Sequence, residues 1–175
     1  SQAGIACAVY DGVVPNPTVD NVEQCRALYL ESGAQAMIAF GGGSPMDCAK
    51  AAGARIARPQ KAVQAMGGLL KVLRKTPLLI AVPTTAGTGS EATPNAIVAV
   101  PEQELKVGIV SDAMIADNVL LDPLMIKNLP RKIAAATGVD ALAHAIECYT
   151  SNKANPISDT FALEALDMIL NNILP

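Results

Sequence analysis

The sequence predicts an α/β fold with a mostly parallel sheet and a β-hairpin, followed by the start of an all-helical domain. Three observations predict it. Up to Pro130, short apolar runs alternate with stretches of helical spacing, the pattern of βαβ units. Within that part, "NAIVAV" and "LKVGIVS" are joined by only "PEQE", which reads as a hairpin with a short connection. Beyond Pro130, two helical stretches follow one another with no strand between them. The expected boundary therefore separates residues 1–129, the α/β domain, from 130–175, the beginning of the helical one.

Each element has a local reason. "GIACAVY" (4–10) is apolar and reads as a strand, and Pro15 and Pro17 forbid regular ladder pairing in the loop that follows. Val19 to Ser32 reads as a helix that Gly33 terminates. "AQAMIAF" (34–40) is a buried strand running straight into Gly41-Gly42-Gly43, and Pro45 suits the first turn of a helix reaching about Ala57. The stretch 58–76 fits loop, helix or both. "PLLIAVP" (77–83) is a strand leading into a turn rich in Gly and Thr, and "MIADNVLLDP" is a further extended segment. Asn155-Pro156 reads as a cap and first-turn proline for the last helix.

Composition narrows the function. Hydrophobic residues make up 51% of the chain and charged ones 17%, with a net charge of −3, so an ample core is available and basic residues form no cluster. Nucleic acid and an anionic membrane are therefore not expected partners. No apolar run approaches the length of a membrane span, and the first residues carry no basic region of a signal peptide. Cys7, Cys25, Cys48 and Cys148 are far apart in sequence and form no CxxC pair, which predicts reduced, mostly buried thiols in a cytoplasmic protein.

Two turns carry the chemistry. A strand, Gly41–Ser44 and a helix in succession put free backbone N–H groups and a positive helix end in one place, which suits a phosphate. The spacing is neither GxGxxG nor GxxxxGK[ST], and a tight ligand-free turn fits the glycines too. The second turn follows another strand and offers hydroxyls from Thr84, Thr85, Thr88 and Ser90 beside Gly87 and Gly89. In an open α/β sheet, both turns would face the crevice where ligands bind. The one histidine, His144, lies four residues after Asp140 in a predicted helix, so the two share a face. Such a pair can ligate Fe²⁺ or Zn²⁺ or simply interact with itself.

"GGGSPMDCAK", "PTTAGTGSEAT" and "AATGVDALAHAIECYTS", in this order and spacing, together with "YDGVVPNPT", closely resemble the iron-containing (group III) alcohol dehydrogenases. The resemblance spans essentially the whole chain and is nearest to the lactaldehyde/propanediol oxidoreductase and short-chain alcohol dehydrogenase branches. It implies a Rossmann-like NAD(P)-binding domain and a helical metal-binding domain. By position, Gly42, Gly43 and Ser44 would hold the pyrophosphate, with Asp47 beside the cofactor. Asn16 would contact the adenosine side, Thr84, Thr85 and Thr88 would line the pyrophosphate and nicotinamide, and Lys106 would reach a ribose. Asp140 and His144 match the first two metal ligands, for Fe²⁺ with Zn²⁺ as the alternative.

The resemblance further implies hydride transfer between NAD(P) and a primary alcohol, diol or aldehyde, by a cytoplasmic homo-oligomer such as a homodimer. The metal would act as the Lewis acid. No residue of this chain is assigned as catalytic acid or base. The family takes two more His ligands from later helices and places its first strand before Ser1, so the chain is expected to be a fragment and inactive alone. "MGGLLKVLRKT" departs from the family pattern. Two other readings fit the sequence: a dehydroquinate-synthase-like lyase of the same fold, and a non-catalytic nucleotide-binding remnant.

Overall fold

The computed structural model describes residues 4–173. They divide into two compact units: one takes the chain up to Pro83 and Ser90–Asp122, the other Thr84–Gly89 and the chain from Pro123 onward.

In the α/β unit, helix α1 (Val19–Glu31) starts at a capping box. The Thr18 hydroxyl accepts from the Asn21 N–H at 3.3 Å, and Asn21 Oδ1 accepts from the Thr18 N–H at 3.2 Å. Such a cap stabilises a helix by about 1 kcal/mol. The amide of Asn21 also donates to the Gly12 carbonyl and the Tyr10 hydroxyl, which organises the proline-rich loop. Strand β1 (Ala36–Gly41) buries Met37 and Ala39 and leaves Ile38 and Phe40 on the opposite face, as the two-residue repeat of a strand requires.

Helix α2 (Gly43–Ala57) follows directly and is buried along most of its length. Its alanines and Gly53 are small enough for strands to pack on more than one side. β1 lies against it, as do β3 (Leu78–Pro83) and β4 (Asn95–Val100). Strand β2 is only Gly68–Leu69, β5 is Leu105–Val110 and β6 is Asn118–Val119. β1, β3 and β6 form a parallel sheet with β3 in the middle, and Gly41 pairs with Pro83 at its edge. The hairpin β4–β5 is antiparallel and joins β2 in a second sheet. Between that sheet and α2 lies a core of Val22, Cys48, Ala51, Met66, Val98 and Ile109, among others.

The helical unit consists of the Thr84–Gly89 turn, α3 (Arg131–Thr150) and α4 (Pro156–Asn172). Asn155 caps α4 by accepting from the N–H groups of Ile157 and Ser158, with Pro156 in the first turn. α3 packs along α4, burying Ala145 and Ala162. No helix of the described residues is long and apolar enough to cross a membrane.

Several expectations are corrected. "GIACAVY" forms no strand: it belongs to neither sheet and residues 4–9 are exposed, so its apolar pattern finds no ladder to join. The stretch 58–76, whose sequence fits loop, helix or both, is mostly loop with a 3-10 turn at Gln64–Met66 and the short β2, pinned by the buried Val63, Met66 and Val72. Within "MIADNVLLDP" only Asn118–Val119 pair as a strand. The thiols are less buried than expected. Cys48 is buried and Cys25 half-buried, whereas Cys7, in the irregular 4–10 segment, and Cys148, on α3 with its thiol 3.8 Å from the Ser158 carbonyl of α4, are both exposed.

Candidate functional site

Of the three glycines after β1, only the first is demanded by the fold. Gly41 has φ +143°, and a Cβ there would meet Pro45 Cγ at 2.7 Å. Gly42, the residue before α2, has φ −81°, and Gly43 is an ordinary first helical residue without positive φ. Neither conformation requires glycine. What their missing side chains do provide is open backbone at a helix start with no side-chain cap, where N–H groups can reach an anion.

Around that turn the structure gathers three of the other expected residues. Asn16 adopts φ +57°, a left-handed conformation that asparagine tolerates better than most residues. Its N–H donates to Ser44 Oγ at 3.2 Å, and its Oδ1 accepts from Lys106 Nζ at 2.7 Å. The loop is held there by β4, whose Ala99 N–H donates to the Pro17 carbonyl at 2.8 Å. A cation, a hydroxyl and an amide thus converge beside open N–H groups, which is the chemistry of an anion or ribose site.

Asp47, in the first turns of α2, is engaged from two sides. Ser90 Oγ donates to Oδ1 at 2.7 Å and the Ile97 N–H to Oδ2 at 3.3 Å. Burial pushes its carboxyl above the ordinary value, against the pull of the Ser90 hydroxyl, the Ile97 N–H and Lys50. One turn on, Lys50 is 1% exposed, and its ammonium donates to the carbonyls of Ser90, Thr93 (2.7 Å) and Asn95 (3.1 Å). Burial lowers the Lys50 pKa, while Asp47 and Glu91 oppose the shift. Asp47 and Lys50 together fasten α2 to the segment leading into β4. Sequence reasoning gave Lys50 no role, although a lone lysine among "CAKAAGA" on a buried helix was a signal that a charge had to be satisfied there.

In the helical unit, Thr84, Thr85 and Thr88 are half-buried in their turn. Gly87 explains how that turn lies on α3. A Cβ at Gly87 would meet the Thr137 carbonyl oxygen and approach Thr137 Cβ at 2.8 Å. Three residues further along α3 comes Asp140. Its Oδ1 is 3.6 Å from His144 Nε2, and their side chains are 44% and 58% exposed. That separation is too long for a hydrogen bond. It is close to the roughly 3.4 Å between two donor atoms that share a tetrahedral ion at about 2.1 Å from each. The pair therefore fits a divalent metal as two of its ligands. Among the described residues, no group of three His, Cys, Asp or Glu side chains could hold an ion.

Family comparison matches most of the chain. Residues 1–123 match the model of the iron-containing alcohol dehydrogenases, and residues 134–175 match the C-terminal model of the same family. The chain belongs to the iron-containing alcohol dehydrogenase family. It is 40% identical over 168 residues to a lactaldehyde reductase of Escherichia coli, covering 95% of this chain and 44% of that protein. Among solved structures, a 1,3-propanediol oxidoreductase superposes with a TM-score of 0.94 at 37% identity, over 98% of this chain and 45% of its own. A sulfoacetaldehyde reductase from Bifidobacterium kashiwanohense in complex with NAD+ gives a TM-score of 0.86 at 32% identity, over 95% and 44%. This member of the family thus spans less than half the length of the relatives it matches. The matched family is the dehydrogenase rather than the lyase of the same fold.

Proposed function

We propose that this sequence is the nucleotide-binding part, and the beginning of the metal-binding part, of an NAD(P)- and iron-dependent alcohol dehydrogenase. Its substrates are primary alcohols or diols and the matching aldehydes. The observation that carries the reading lies in the helical unit, where the hydroxyl-lined Thr84–Thr88 turn rests on α3 one turn before Asp140 and His144. Alcohol oxidation needs a hydride acceptor next to the ion that polarises the substrate oxygen. When bound, the nicotinamide and a divalent metal supply those two functions, with Fe²⁺ fitting the family and Zn²⁺ the same donors.

The chain's own residues have separate tasks. The N–H groups of Gly42 to Ser44 hold the pyrophosphate at the start of α2. Lys106 and Asn16, already bonded to each other, orient the ribose on the adenosine side. Asp47 sits beside the cofactor, and Thr84, Thr85 and Thr88 line its pyrophosphate and nicotinamide. Asp140 and His144 present one oxygen and one nitrogen to the metal, fewer than the three protein ligands that catalytic sites usually take. The set needs further donors, and without them the chain turns over no alcohol. We further place the enzyme in the cytoplasm as a homodimer, with residues 1–129 as its cofactor domain.

The test uses a protein of the relatives' length carrying this sequence. His144→Ala should remove bound metal and NAD(P)-dependent oxidation of 1,2- or 1,3-propanediol together. Normal metal content and turnover in that variant would reject the assignment.

A further inference from the structure

Two of the four cysteines meet across the packing of α1 on α2. Cys25 lies midway along α1 and Cys48 near the start of α2, helices that lie against each other. Cys48 is 1% exposed within the main core cluster, and Cys25 packs against the same cluster from a half-buried position. Both side chains therefore meet at one core cluster, across two helices in contact. Cys7 and Cys148 are exposed and belong to other parts of the chain.

We propose that Cys25 and Cys48 form a thiol pair that peroxide converts to an intramolecular disulfide, stapling α1 to α2 next to Asp47. Nothing in the proposed dehydrogenase chemistry uses either sulfur, so this inference does not rest on that reading. Three observations carry it. Both cysteines sit at one helix–helix packing, and adjacent packed helices can bring Cβ atoms to the short separation a disulfide needs. One thiol of the pair is reachable and the other shielded, which orders the chemistry. The contact also polarises the pair: the Cys48 hydrogen bond holds the Cys25 thiol below its ordinary pKa, while that same bond and burial push Cys48 up.

The steps balance. The Cys25 thiolate attacks one peroxide oxygen, breaking the O–O bond, and hydroxide leaves and takes up a proton as water. Cys25 is then a sulfenic acid, two electrons more oxidised. The Cys48 sulfur attacks Cys25 Sγ and displaces its hydroxyl, which leaves with the Cys48 proton as a second water. Two thiols and one peroxide become one disulfide and two waters, and dithiothreitol reverses the change by thiol exchange.

The experiment treats the 175-residue chain and its Cys7→Ser/Cys148→Ser variant with hydrogen peroxide. It then alkylates free thiols in denaturant and maps peptides by mass spectrometry without reduction. In the double variant, both remaining thiols should disappear together, yielding a Cys25–Cys48 linked peptide that dithiothreitol abolishes. Cys48→Ser should strand Cys25 as a sulfenic acid trapped by dimedone, and Cys25→Ser should leave Cys48 at least tenfold slower to react. The exposed Cys7 and Cys148 of the unaltered chain report that the oxidant was active. The proposal is overturned if Cys48 stays alkylatable after Cys25 is oxidised. It is equally overturned if both thiols survive while Cys7 and Cys148 react, or if Cys25 links only to a second molecule.

Discussion

The α/β unit and the helical unit each hold candidate site residues of their own, and they hold them differently. Around Gly42 to Ser44 the functional groups already hold one another: Asn16 bridges Ser44 and Lys106, and Asp47 and Lys50 lock α2 to the Ser90–Ile97 segment. In the helical unit, Asp140 and His144 stand half-exposed on one face of α3, too far apart to bond directly. Burial follows the same division. Among the described residues, every buried hydrophobic side chain except Ala145 and Ala162 belongs to the α/β unit. The contrast suits the two kinds of ligand proposed for these residues. A phosphate is held largely by backbone N–H groups that one strand–turn–helix passage supplies by itself. A metal needs side chains converging from several segments. Under the proposed function, the turn at the start of α2 needs little beyond its own backbone, whereas Asp140 and His144 need further donors.

Replacing Lys50 breaks the ordered half most severely. Lys50→Met leaves three carbonyls without their donor and Asp47 without its nearest cation. Removing one member of such a buried charged cluster costs about 3–5 kcal/mol. Urea unfolding followed by circular dichroism should show that loss, and a change under 1 kcal/mol on the same scale would mean the cluster is not structural.

Gly87→Val sharpens the boundary between the units. The added side chain must displace the turn from Thr137, at a cost of about 1–3 kcal/mol for overpacking. Hydrogen exchange should quicken in α3 and α4 and stay unchanged in β4 and β5. Equal quickening in both places would show that the units do not open separately.

The two capping boxes allow a matched pair of smaller changes. Thr18→Ala and Asn155→Ala each remove a side-chain acceptor at a helix start, worth about 1 kcal/mol. Thr18→Ala should lower the stability of the α/β unit, while Asn155→Ala should appear only as faster exchange at the start of α4. The reverse pattern would contradict the division.

The smallest effect is the pH dependence of Asp47. Its folded pKa is raised above the unfolded value, chiefly by burial, so the folded state holds that proton more tightly. The stability this contributes is present in full below the unfolded pKa and is lost as pH rises through the raised folded one. Subtracting the pH–stability profile of Asp47→Asn from that of the unaltered chain should leave a difference that falls across this window. A difference that rises would reverse the assigned cause.

Much of the fold was legible because its signals are local. Asn155 begins its helix through its own side chain, and "PEQE" reads as a short connection between two strands, whereas the Thr18 cap showed only in the structure. "GIACAVY" misled because a strand is defined by its neighbour, which no local pattern reveals. The site was legible where glycines and hydroxyls cluster in sequence. The Asn16–Ser44–Lys106 junction could be expected residue by residue only through the family resemblance. Its bonds join residues far apart in the chain, and they depend on the left-handed turn at Asn16. Lys50 escaped notice because its partners, the carbonyls of Ser90, Thr93 and Asn95, leave no mark in a sequence.

The central claim is that Gly42 to Ser44 form a working phosphate cradle within these residues. Fluorescence titration of the chain with NADH and NADPH, beside Gly43→Val, tests it most directly. Gly43 is an ordinary helical residue, so the substitution should leave the urea midpoint nearly unchanged. The account predicts saturable binding that weakens at least about tenfold in the variant, equivalent to about 1.4 kcal/mol. Equal affinity in the two proteins, or no saturable binding of either nucleotide to the unaltered chain, would contradict it.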